Sequence, residues 1–175
     1  MSDRIFGQAA AWPLPDTAFV PGVTRRPESG VFIDIADAAP ETTDPAGWAD
    51  NQAWLYGFAL YGNGFFWEAH EVWEPVWMGL RPNSAERMLV QGMIQLANCC
   101  LKLGMGRPRA AGRLAHHAAD CLWNAGHGRT ERVMGVDVAQ LAEASIAFAA
   151  AIDAEAGSGA LGALVARRPV LEWKL

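Results

Sequence analysis

The chain has 175 residues, 51% of them hydrophobic and eight of them tryptophan, with a formal net charge of −5. That is enough apolar side chain for one domain with a real core. The acidic balance, with no basic face, argues against a nucleic-acid partner. No apolar run approaches the roughly 20 residues of a membrane span, and the opening MSDRIFGQAAAWPLPD lacks the charged-then-apolar layout of a signal peptide. Three cysteines, two of them adjacent at Cys99-Cys100, make no disulfide framework, and this usage fits a reducing cytoplasm.

Residues 1–43 are punctuated by Pro13, Pro15, Pro21, Pro27 and Pro40 and show no sustained helical period. Trp12, Phe19, Val31, Phe32 and Ile33 make them too apolar for a disordered tail. The expectation is an extended arm that docks on a helical bundle or on a second subunit. The bundle domain then spans 44–156 and a carboxyl tail spans 157–175.

The first helix is expected to start at Asp44, with Pro45 in its first position. Trp54, Leu55, Phe58 and Tyr61 form its apolar stripe, and Gly62-Asn63-Gly64 closes it. The central helix follows as GFFWEAHEVWEPVWM, Gly64 to Met78. Helical spacing puts Trp67, His70, Glu71, Glu74 and Trp77 on one face and Phe65, Phe66, Ala69, Val72, Trp73 and Val76 on the other. Both faces read as buried, one of them holding an imidazole and two carboxylates between indoles. Glu68, Glu71 and Glu74 have no Lys or Arg among them. Each like-charge i,i+3 pair costs roughly 0.2–0.5 kcal/mol even when exposed, and burial raises the cost. A cation, a shared proton or donors from a neighbouring helix must compensate. Pro75 cannot donate to the carbonyl of Glu71 and crowds it, so a kink or a helix end is expected there.

Asn83-x-x-Glu86 predicts the start of a third helix running to about Leu103. Leu89, Met93, Leu96, Cys100 and Leu103 form its main stripe, with Val90, Ile94, Ala97 and Leu101 beside it. The remaining stripe is Arg87, Gln91, Gln95, Asn98 and Lys102. Neutral amides satisfy carboxylates without adding charge, and Arg87 is the expected counter-charge for Glu71 or Glu74. An ordinary wet face is an equally good reading of this stripe. Gly104 and Gly106 stop the helix, and Pro108 opens a fourth to about Asn124. His116 and Asp120 on it have ligand-like spacing, although a solvated face explains them better. The loop 124–135 carries His127, Arg129 and Arg132. Asp137-x-x-Gln140 caps a fifth helix to about Ala156, which Gly157-Ser158-Gly159 breaks. The tail is expected to form a short helix and to dock through Trp173. The whole predicts an all-α, irregular bundle of about five helices with an extended amino-terminal arm.

His70, Glu74 and Trp77, with the lead-in Phe66-Trp67-Glu68-Ala69 and the later Gln91-Gly92-Met93-Ile94-Gln95-Leu96-Ala97, resemble the bacterial and archaeal domain-of-unknown-function family three-zero-nine. Its motif is His-x-x-x-Glu-x-x-Trp/Tyr. The resemblance covers roughly Trp54 to Trp123. It implies an all-helical bundle and a metal role for the His and Glu.

No Gly-x-Gly-x-x-Gly, phosphate loop, Gly-x-Ser-x-Gly or Cys-x-x-Cys occurs, so no nucleotide cofactor is expected. His70 to Glu74 matches the zinc-protease helix only in part, because Glu74 replaces its second His. Three readings fit these residues. In the first, His70 and Glu74, with Glu71 or Glu68, hold a divalent metal (zinc, iron, manganese or nickel) or a small cationic ligand. In the second, His70 or Glu71 is the general base of a metal-assisted hydrolase, with Gln91 and Gln95 orienting substrate. In the third, His70, Glu71, Glu74, Arg87, Gln91 and Gln95 form a structural hydrogen-bond network, and the tryptophans are core or a homo-oligomer face.

Overall fold

The computed structural model describes residues 12–128, 132–155 and 161–174. Among them the chain forms seven α-helices and one 3-10 turn: α1 (Val31–Asp37), the turn Trp48–Asp50, α2 (Gln52–Gly62), α3 (Phe66–Gly79), α4 (Ala85–Gly104), α5 (Pro108–Gly126), α6 (Val138–Glu155) and α7 (Leu161–Ala166). The only strand-like pairing among these residues is a single bridge between Val133 and Val136. The all-α expectation holds, with more helices than the sequence suggested. None of these helices is long and apolar enough to cross a membrane.

Successive helices pack on one another. The pairs α4/α5 and α5/α6 form one half, and α2/α3 with α3/α4 form the other. Thus α4 is shared by both halves, and its length follows from that. Leu89, Met93, Leu96, Cys100 and Leu103 are all buried, as are Val90, Ile94, Ala97 and Leu101 beside them. Gly92 lets α5 come close, since a Cβ there would stand 2.6 Å from Leu122 Cγ and 3.2 Å from the Ala118 carbonyl.

The other half is organised on indoles. Trp54 and Trp73 are fully buried, and Trp73 Nε1–H donates to the Trp54 carbonyl at 3.0 Å. Phe58 stands edge-on to both rings. Gly57 makes this possible: a Cβ there would lie 2.1 Å from Trp73 Nε1.

Several boundaries differ from those expected. The first bundle helix starts at Gln52, where Asn51 Oδ1 accepts the Trp54 N–H at 2.9 Å. Asp44 instead closes a small turn by accepting the Ala46 N–H. Both residues are good caps, and only Asn51 stands directly before the apolar stripe. On α4 the cap is Ser84, whose Oγ accepts the Arg87 N–H; Asn83 takes a left-handed backbone, φ 60°, one residue earlier. Pro75 does not end α3, which continues to Gly79. The last turn is held from outside. Thr43 Oγ1 donates to the Val76 carbonyl at 3.0 Å, and the Thr43 N–H donates to the Gly79 carbonyl at 3.0 Å. Asp137 caps α6 as expected, accepting the Gln140 N–H.

The arm is not simply extended. It carries α1, with the N–H groups of Ile33 and Asp34 bonded to the Gly30 carbonyl. Four apolar residues, Val31, Phe32, Ile33 and Ile35, hid this turn because β-branched residues favour strands on propensity alone. Burial of Phe32, 2% exposed, decides in favour of the helix. The arm also docks elsewhere. Tyr56 Oη donates to the Pro13 carbonyl at 2.6 Å, and Trp12 stands edge-on to Tyr56. At the other terminus Trp173 is buried against Trp48. Tyr61 Oη donates to the Pro169 carbonyl, and Arg168 donates to the Gly62 carbonyl. Residues 1–11 of the arm, the expected break at Gly157-Ser158-Gly159 and Arg129 of the loop lie outside the described residues.

Candidate functional site

The two faces of α3 are as the spacing predicts, with a difference in depth. Phe66, Ala69, Val72, Trp73 and Val76 are buried. The polar face is not enclosed between indoles. The side chain of His70 is 24% exposed, Glu71 28% and Glu74 50%. The group therefore lies at the rim of the bundle, within reach of solvent. The reason is the rotation of α3. Its apolar side meets α2, α4 and α1, which leaves the Glu71–Glu74 edge uncovered.

One imidazole nitrogen and one carboxylate oxygen from each of His70, Glu71 and Glu74 lie within 4.8 Å of one another. His70 Nε2 is 4.0 Å from Glu74 Oε1. On its other side the ring is anchored to α4, where His70 Nδ1–H donates to Asn98 Oδ1 at 3.0 Å. An amide oxygen can only accept, so this bond places a ring proton on Nδ1 and turns Nε2 toward the carboxylates. Burial raises the pKa of the Glu71 carboxyl above its ordinary value. His70 opposes that shift, Glu74 adds to it, and Arg26 opposes it.

Glu68 belongs to a different environment. It is fully buried, and Oε1 accepts the Phe19 N–H of the arm at 2.7 Å. Its other oxygen has no hydrogen-bond partner among the described residues. Burial raises its pKa, partly offset by the Phe19 bond. A neutral acid is the cheaper occupant of such a place, since an unpaired buried charge costs far more than an unpaired dipole.

The expected supporting residues divide. Trp67 is half-buried beneath the arm, with the rings of Phe19 and Phe32 edge-on to it at 4.7 and 5.8 Å. Arg87 does not neutralise Glu71 or Glu74. Its guanidinium lies 4.0 Å over the Trp77 ring and donates to the Leu80 carbonyl at 2.8 Å. The positive charge at Glu71 comes instead from Arg26, whose Nη2 is 4.0 Å from Glu71 Oε2. Gln91 and Gln95 are half-buried on α4, but the amide that reaches the histidine is Asn98. Sequence reasoning placed Asn98 on the correct stripe without assigning it to the site. It missed Arg26 and named Phe19 only as an apolar residue of the docking arm. The pair Arg25-Arg26, set against an α3 rich in glutamate and without Lys or Arg, was the available signal.

The other candidates are less site-like. His116 pairs with Asp153 at 2.8 Å on an exposed surface, joining α5 to α6. All three cysteines are free and buried. Burial pushes the Cys100 thiol up to about 12 and Cys121 to about 11, so neither offers a thiolate.

Comparison with curated proteins and with solved structures gave no match to the chain. Residues 54–114, which run from α2 to the start of α5 and include His70, Glu71, Glu74 and Asn98, match the model of the family described as Domain of unknown function (DUF309).

Proposed function

We propose that the rim of α3 is a divalent-metal site in which His70 Nε2 and the carboxylates of Glu71 and Glu74 are the protein ligands. The observation that carries this reading is the bond from His70 to Asn98. A metal-ligating histidine usually donates its second ring N–H to a carbonyl or carboxylate, which fixes its tautomer and orientation. Asn98 provides that partner and turns Nε2 toward two carboxylates.

The donor set fits the ion. One imidazole and two carboxylate oxygens suit zinc, manganese, iron or nickel. Ligand distances of about 2.0–2.2 Å to a shared ion require the three donor atoms, now within 4.8 Å, to draw in slightly. Side-chain rotation of the half-exposed Glu74 supplies that adjustment. Three protein ligands leave at least one position for water or a small ligand, the composition of a site that is not purely structural.

A second reading has its own support. The His70–Asn98 bond ties α3 to α4 and would serve helix register without any ion. Titration of chelator-treated protein with zinc or manganese, read by calorimetry, separates the two. The metal reading expects one ion per chain and loss of binding in His70→Ala and Glu74→Ala. Absence of binding in the wild-type chain, with a marked fall in Tm for His70→Ala, would leave the structural reading in its place.

A further inference from the structure

We propose that the arm segment 19–26 is an inhibitory strap, with the Arg26 guanidinium standing where a divalent ion would neutralise Glu71, so that strap docking and metal binding oppose each other. This rests on the metal reading of His70, Glu71 and Glu74.

Arg26 is the one Arg or Lys that reaches this carboxylate group among the described residues, 4.0 Å from Glu71 Oε2. Its charge also lies 5.2 Å over the Trp67 ring. Trp67 is one turn before Glu71 on the same face, so the guanidinium spans an aromatic face and an acid, the two features that hold a cation. A divalent ion with two carboxylates is already neutral. Arg26 beside it would then be surplus positive charge with its partner withdrawn.

The strap is built to leave as a unit. Residues 18–24 close on themselves: the Val20 N–H donates to Thr24 Oγ1 at 2.7 Å, Thr24 Oγ1 donates to the Ala18 carbonyl at 3.1 Å, and the N–H groups of Val23 and Thr24 both reach the Val20 carbonyl. Its specific contacts with α3 are the Phe19 N–H on Glu68, the Phe19 ring on Trp67, and Arg26, and Val20 rests on the edge of the core. The Arg26 side chain is 70% exposed. Such an ion pair is weak in water and exchanges readily, as a competitor for an ion must.

The test compares the full wild-type chain with Arg26→Gln and Arg26→Lys, each titrated with zinc and with manganese, while hydrogen exchange is followed at the Phe19 amide. Arg26→Gln should bind metal about 5-fold or more tightly, the lower range of ordinary site-to-site coupling, and Arg26→Lys should restore wild-type affinity. By reciprocity, saturating metal should speed exchange at Phe19 in the wild-type chain. Metal binding of equal or lower affinity in Arg26→Gln, with unchanged exchange at Phe19, overturns the strap and leaves the metal site standing. No metal binding by any of the three proteins overturns both.

Discussion

The backbone N–H of Phe19 donates to Glu68 Oε1 at 2.7 Å across 49 residues of sequence. This bond fastens the arm to α3 and partly offsets the effect of burial on the acid beneath it. Glu68 is fully buried, its second oxygen has no partner among the described residues, and burial raises its pKa.

A raised carboxyl pKa means that the folded chain binds more protons than the unfolded chain between the ordinary value, 4.5, and the raised one. Stability then falls as pH rises through that window. Glu68→Gln keeps an oxygen acceptor for Phe19 and carries no charge. Its Tm should lack this fall and exceed the wild-type Tm above the window. Parallel Tm–pH curves for the two proteins would mean that Glu68 titrates normally.

Gly57 is a helical glycine that replacement by alanine would ordinarily stabilise by about 0.5–1 kcal/mol. Here the new Cβ would sit 2.1 Å from Trp73 Nε1 and displace the indole from the Trp54 carbonyl. Gly57→Ala should instead cost about 1–3 kcal/mol, the usual range for overpacking. Urea unfolding measures it, and a gain in stability would show that the indole relaxes freely.

Asn98→Ala removes the acceptor of His70 Nδ1–H without touching a proposed ligand. Loss of such an orienting partner typically weakens metal affinity about 10–100-fold. Calorimetric titration with zinc should show that drop with one ion still bound. Unchanged affinity would mean that the ring is oriented by something else.

Asn51 and Asp44 offer a direct comparison of two helix-start signals. Asn51→Ala should cost about 1 kcal/mol, because the cap of α2 is lost. Asp44→Ala removes only an exposed turn bond and should cost less. Thermal melts of the two variants rank them, and the reverse order would return the helix start to Asp44.

What the sequence by itself determined follows from periodicity and local chemistry. The spacing of apolar residues gave the all-α class and the buried apolar faces of α3 and α4, and capping chemistry gave Asp137, because each depends on neighbours one to four residues apart. It also put His70, Glu71 and Glu74 together, since one helical turn is enough to do so. The tertiary structure decided what covers each side of α3. It set Glu68 under the arm and Glu74 at the rim, replaced Arg87 with Arg26 as the charge at Glu71, and selected Asn98 as the histidine's partner. Those outcomes depend on how α3 is rotated against α4 and where the arm crosses it. Such packing is fixed by contacts between residues 28 to 49 positions apart, beyond the reach of any local pattern.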